Sequence, residues 1–252
     1  MKEKLYTIPL NDAFNADDEC PFCYIERSIE QDQLDYVLGS CASYMESDTR
    51  EMTDTEGFCR THFKKLCEYG NTLGNGWILK THYMRMRDEL AKKTKAFVPG
   101  KKPMFGKKKA AEANNAITAW IRERGNSCFI CNRFSDMYER YIDTFFYLYD
   151  SDENFRDKLS HCKGFCLPHF GDLCEAAENT LPDKAKPEFY RVLFERMNTN
   201  MERMQEDVNW LIEKFDYLHK DDPWKNSKDA VPRAMQKLKG GYPGDAPYRP
   251  TR

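Results

Sequence analysis

The chain has 252 residues, 39 basic and 41 acidic, giving a formal net charge of −2, with 40% hydrophobic and 13% aromatic content. That much apolar material can fill packed cores, which excludes a disordered chain, and 32% charged residues suit amphipathic helices. The absence of any apolar run of about 18 residues excludes a membrane-spanning helix.

The N-terminal segment MKEKLYTIPLNDAF lacks the apolar stretch of a secretory signal, which points to the cytoplasm. Cys20-Pro-Phe-Cys23 follows, and Ile25, Ile29, Tyr36, Val37, Cys41, Tyr44 and Met45 then recur at helical spacing. A short helix is predicted from Phe58–Cys59 to Tyr69, stopping at Gly70-Asn71, and another from Trp77 to Ala96. Residues 91–111 hold eight lysines (Lys92, Lys93, Lys95, Lys101, Lys102, Lys107, Lys108 and Lys109), two prolines, two glycines and no acid, and read as a solvated linker.

Helical pattern resumes over 112–127 through Ile117, Trp120 and Ile121. Cys128-Phe-Ile-Cys131 precedes a clean stripe of Phe134, Met137, Tyr138, Tyr141, Ile142, Phe145 and Leu148. A helix near Phe165–Cys166 to Ala177 accepts Pro168 in its first turn, where a missing amide proton costs little. A long helix is predicted over Pro187–His219, about 50 Å at 1.5 Å per residue. Packing against the core of its own chain is the expectation for it, with bridging of both halves or extension into a second copy as alternatives. After Asp221, proline and glycine dominate, and an irregular tail is expected.

One constellation occurs twice. Cys20-Pro-Phe-Cys23 is followed by Gly57-Phe58-Cys59-Arg60-Thr61-His62-Phe63, with 35 residues between Cys23 and Cys59. Cys128-Phe-Ile-Cys131 is followed by Gly164-Phe165-Cys166-Leu167-Pro168-His169-Phe170, with 34 residues between Cys131 and Cys166. CxxC places two sulfurs in one tight turn, and CxxH at a helix start puts both side chains on one face. Three thiolates and one imidazole make a tetrahedral set suited to zinc. A helix N-terminus favours the resulting negative charge and lowers thiol pKa values. The intervening segment reads as a helical hairpin whose open end the metal would pin, which pairs each CxxC with the CxxH of its own repeat. Gly57 and Gly164 would let the backbone turn closely around the ion. Phe58, Phe63, Phe165 and Phe170 would shield it or fill the core. Cys67 and Cys174 lie five residues past the histidines, about 140° round the helix, and read as core residues, as do Cys41 and Cys162.

Other chemistries compete. The CPFC motif also occurs in glutaredoxin-like proteins, but there a buried strand leads into it, and here Asn15-Ala-Asp-Asp-Glu19 does. Iron–sulfur ligation by the same residues is the chemical alternative to zinc. Nucleic-acid binding would draw on the lysines, yet removing those eight leaves 31 basic against 41 acidic residues, a balance of −10 that repels phosphates. Four ligands per copy close the shell against a catalytic water, and neither His82 nor His161 sits in a general-base motif. No P-loop, dinucleotide fingerprint or nucleophile elbow occurs, so no catalytic residue is assigned and the reading leans away from an enzyme.

The twin CxxC and GFCxxHF pattern, over Thr7 to His219, resembles a bacterial family catalogued only as a domain of unknown function. The resemblance implies a bacterial cytosolic metal-binding protein and supplies no substrate; the lysine segment and the tail after Asp221 fall outside it.

The expectation is therefore an all-α protein of two homologous helical halves. Residues 1–90 form the first metal-binding repeat, 91–111 the linker, 112–220 the second repeat and 221–252 the irregular tail. One Cys3His site would use Cys20, Cys23, Cys59 and His62, and the other Cys128, Cys131, Cys166 and His169, each holding Zn²⁺. The role expected is a scaffold or interaction module, the alternative being a thiol- or iron–sulfur-based redox protein. A protein partner is left open, including a homodimer through the long C-terminal helix, while nucleic acid and membrane are not expected.

Overall fold

Among the described residues, 3–98 and 116–251 of a computed structural model, regular structure is entirely helical. The helices are α1 (Glu3–Asn15), α2 (Pro21–Leu38), α3 (Ser47–Glu56), α4 (Arg60–Tyr69), α5 (Thr72–Lys95), α6 (Ala116–Gly125), α7 (Phe129–Ser151), α8 (Glu153–His161), α9 (Leu167–Thr180), α10 (Lys186–Glu213) and α11 (Ala230–Lys239). Of the lysine segment, Lys92, Lys93 and Lys95 form the last turn of α5, where they complement the helix dipole. Lys101, Lys102, Lys107, Lys108 and Lys109 lie outside the described residues, as do the first residues of the helix expected from 112.

The chain divides into two compact units, and they cut across the sequence repeats. One comprises residues 1–29 and 136–246, the other residues 30–135 and 247–252. The divisions fall inside α2 and inside α7.

The first unit has an aromatic core. Phe145 lies 5.9 Å from Phe22, 5.5 Å from Phe155, 6.5 Å from Phe165 and 6.3 Å from Phe189, ring to ring. Helix α1 was not legible in the sequence, because Pro9 interrupts its pattern. It nevertheless buries Tyr6, Leu10, Ala13 and Phe14, the i, i+4, i+7, i+8 face of a helix. In α10, the stripe Phe189, Leu193, Met197 and Met204 is buried. The apolar run past it is exposed, with Ile212 at 65% and Phe215 at 81%. The helix itself stops at Glu213, short of His219.

The expected irregular tail contains α11. Pro232 is the third residue of that helix, within the first turn, where no intrahelical donor is lost. Gly240 ends it at φ 75°, a backbone conformation that glycine adopts without strain.

The second unit packs around Leu34, Val37, Leu38, Phe58, Leu66, Tyr69, Ile78, Phe129 and Ile130. Chain residues 247–251 lie on it: Gln31 donates to the Arg249 carbonyl at 2.7 Å, and the Thr251 hydroxyl donates to Asp35 at 2.8 Å.

Candidate metal centres

Two groups of four ligand atoms converge, each within 4.8 Å: Cys20, Cys23, Cys166 and His169 in the first unit, and Cys59, His62, Cys128 and Cys131 in the second. All eight residues singled out from the sequence are present, but their partnership is crosswise. Each CxxC meets the CxxH of the other repeat, which corrects the expected pairing within repeats. The reason is that the chain passes from one unit to the other inside α2 and again inside α7, so each CxxC and the CxxH that follows it in the chain belong to different compact units.

In the first group, His169 Nδ1 lies 3.3 Å from Cys20 Sγ, 3.6 Å from Cys23 Sγ and 3.1 Å from Cys166 Sγ, with Cys23 and Cys166 sulfurs 3.8 Å apart. In the second, His62 Nδ1 lies 3.3 Å from Cys59, 3.2 Å from Cys128 and 3.3 Å from Cys131, with Cys59 and Cys131 sulfurs 3.9 Å apart. A tetrahedron with Zn–S near 2.3 Å and Zn–N near 2.0–2.1 Å has edges of about 3.8 Å between sulfurs and about 3.6 Å from sulfur to nitrogen. The observed edges match that figure closely and are slightly tighter at nitrogen.

Local backbone explains the convergence. Cys59 and Cys166 occupy the N-cap positions of α4 and α9 with nearly the same dihedrals, φ −70°, ψ 166° and φ −72°, ψ 159°. Neither side chain caps its helix, so both sulfurs are free to face the cluster. Gly57 and Gly164 precede them at φ 63° and 74°, as a tight turn requires. A Cβ at Gly57 would lie 2.8 Å from His82 Cε1, so His82 packs under the turn. Phe58 and Phe165 are both buried in their cores; Phe63 and Phe170 are half-buried.

The two turns of each centre are tied together differently. In the second unit, Phe129 N–H donates to the Gly57 carbonyl at 2.9 Å. The residue at the same offset in the other CxxC is Pro21, which has no N–H to give. There the buried Lys237 of α11 donates to the carbonyls of Glu19 and Lys163, each at 2.6 Å, just ahead of Cys20 and of Gly164. Glu19, also buried, balances it at 3.3 Å and pairs with Arg203 and Arg233. A Cβ at Gly240 would sit 3.6 Å from Cys166 Sγ and 4.0 Å from Cys23 Sγ, so the end of α11 closes over these sulfurs.

The far nitrogen of each imidazole meets a carboxylate. His169 Nε2 lies 3.1 Å from Glu26 Oε1, and His62 Nε2 lies 2.9 Å from Glu30 Oε1. This orients Nδ1 at the sulfurs and is the arrangement metal-bound histidines adopt. Glu26 and Glu30 stand three and seven residues after Cys23, on its face of α2, a spacing from which the sequence could have suggested them. At the seven-residue offset from Cys131 stands Tyr138, whose ring lies 5.6 Å from His169 and whose hydroxyl donates to Asp172 at 2.8 Å. Lys237 and Gly240 had no such signal.

Both pockets favour positive charge at their centres. Burial opposes the charge on His62, but Cys128 and Glu30 outweigh it and its pKa is pushed up to about 10. Burial is likewise overcome at His169 by Cys166, Cys23 and Glu26, to about 12. Hydrogen bonds from Cys166 and Cys20 hold the Cys23 thiol far below its ordinary value, whereas burial and the neighbouring thiols push Cys20 up. The two centres differ in exposure: all four residues of the first are buried, while in the second Cys131 is exposed and Cys59 half-exposed.

Other expectations are corrected. Cys41 and Cys67 are exposed, and Cys162 and Cys174 half-buried, so none is a fully buried core thiol. No strand leads into Cys20 among the described residues; α1 and a short loop precede it, unlike the context of a glutaredoxin motif. No helix of the described residues is long and apolar enough to cross a membrane.

The model of a family of unknown function, DUF6062, matches residues 1–245. This chain belongs to that family. The match takes in both CxxC…CxxH repeats, and also the lysine segment and α11, which the sequence resemblance had left outside. No curated protein and no solved structure matches this DUF6062 member.

Proposed function

We propose that this DUF6062 protein is a non-enzymatic scaffold or interaction module, cytoplasmic and bacterial, that holds one structural Zn²⁺ at each centre. The ligands are Cys20, Cys23, Cys166 and His169 at one and Cys59, His62, Cys128 and Cys131 at the other. The observation that carries this reading is that, twice over, one imidazole Nδ1 lies within 3.1–3.6 Å of three sulfurs while its Nε2 meets a glutamate. Four protein ligands fill a tetrahedral shell and leave no place for a substrate or a reactive water. Ten free thiols suit a reducing compartment.

Iron–sulfur chemistry is the rival, and ligand spacing weighs against it. A polynuclear cluster puts inorganic sulfides between its irons and spreads its cysteines over them. Four ligand atoms within 4.8 Å of one another suit a single ion better. The interaction role draws on the exposed Ile212, Phe215, Tyr217 and Leu218 past the buried part of α10, the stretch through which a homodimer is left open.

Elemental analysis of the purified chain tests the metal. About two zinc per chain and no visible absorption are expected; iron with absorbance near 400 nm would replace this reading with a redox one.

A further inference from the structure

We infer that the two centres divide labour: the Cys59–His62–Cys128–Cys131 centre exchanges its metal with external acceptors, and the Cys20–Cys23–Cys166–His169 centre does not. This rests on the metal reading above and assigns to one site a behaviour that the ligand set alone does not distinguish.

The ligand sets are the same, so the difference must come from what surrounds them. Exchange at a closed tetrahedral thiolate centre begins when an incoming ligand reaches the ion, or when one sulfur is captured or protonated, so access sets the rate. At the first centre all three cysteines are at most 1% exposed, and His169 is 4% exposed. The end of α11 lies against two of those sulfurs at Gly240, and Lys237 holds both turns by their carbonyls. An acceptor would have to displace a helix to enter. At the second centre Cys131 is exposed on the first turn of α7 and Cys59 is half-exposed beside it, 3.9 Å away sulfur to sulfur. Only Cys128 and His62 are covered. Detachment of Cys131 opens a coordination position directly to solvent while three ligands keep the ion, as a stepwise hand-over to another thiol- or nitrogen-bearing ligand requires. The acceptor class is therefore a soft chelating ligand or a competing soft cation, which thiolates prefer. No electron transfer is involved: the metal leaves as a divalent cation and each freed thiolate takes up a proton or an alkyl group.

The test mixes the zinc-loaded full chain with excess 4-(2-pyridylazo)resorcinol and N-ethylmaleimide, following zinc release by colour and alkylated cysteines by peptide mass spectrometry. One equivalent of zinc should leave at least about tenfold faster than the other. Cys41 and Cys67 should be alkylated at once, Cys59, Cys128 and Cys131 together with the first equivalent, and Cys20, Cys23 and Cys166 with the second. Two equivalents leaving at one rate, or the first leaving with alkylation of Cys20, Cys23 and Cys166, would overturn the inference and leave the metal reading intact. A chain that holds no zinc, with all ten cysteines alkylated without a lag, would overturn both.

Discussion

Cys20 Sγ lies 3.3 Å from Nδ1 of His169, 149 residues further along the chain. The histidine of its own repeat, His62, instead faces Cys59, Cys128 and Cys131. Each Cys3His group thus joins one repeat's CxxC turn to the other repeat's CxxH helix, so an ion held there would act in long-range topology rather than in closing a local hairpin.

The glutamates behind the histidines should tune each centre separately. Glu30→Gln is expected to weaken zinc at the second centre by about 10–100-fold, and Glu26→Gln to do the same at the first, because each fixes the ring that presents Nδ1. Competition against a chelator of known affinity reads both. Unchanged affinities would mean that the rings are held by packing alone.

Lys237 should matter to stability more than a surface lysine does. Lys237→Met keeps much of the volume but strips hydrogen bonds from the Glu19 and Lys163 carbonyls and one cation from the buried Glu19. Urea unfolding should show a loss of about 3 kcal/mol. A change within about 0.5 kcal/mol, typical of surface positions, would show that the turns hold without it.

Gly57 is constrained twice over. Its φ of 63° strains any other residue, and an added Cβ would lie 2.8 Å from His82. With ψ at −156° this is a region essentially confined to glycine, and Gly57→Ala should cost about 1–3 kcal/mol from the backbone alone. Pairing it with His82→Ala should recover only what the clash adds.

A pH dependence follows from Glu89, held below its ordinary 4.5: burial acts against the carboxylate, and Trp120, Arg85 and Arg124 overcome it. A depressed folded pKa means that its stabilisation is complete above the unfolded value and fades as pH falls through the folded one. Glu89→Gln should therefore destabilise by up to about 1 kcal/mol at pH 7, and progressively less as pH falls below the ordinary carboxylate value. Comparing wild type and variant at the same pH cancels any loss of metal common to both. A penalty that stays constant as pH falls would contradict the charge argument.

The sequence disclosed more chemistry than architecture. All eight residues of the two clusters, the helical class and the helix starts near Cys59 and Cys166 were legible because CxxC and CxxH spacings are local. The pairing was not, because it depends on which unit each stretch of chain joins, and spacing within a repeat does not mark where the chain passes from one unit to the other. Helices α1 and α11 were hidden by Pro9 and Pro232, whose effects depend on position. Lys237 looked like any lysine of a polar tail; only the fold places it beneath Glu19. Cys67 repeats faithfully with Cys174, yet it is exposed, a reminder that a repeated residue need not be a buried one.

The crosswise pairing is tested most directly by zinc content in paired cysteine variants. Wild type should hold about two zinc per chain. Cys20→Ser with Cys166→Ser damages a single centre and should leave about one, whereas Cys20→Ser with Cys59→Ser damages both and should leave almost none. The opposite order, one zinc kept when Cys20 and Cys59 are replaced and none when Cys20 and Cys166 are, would contradict the account.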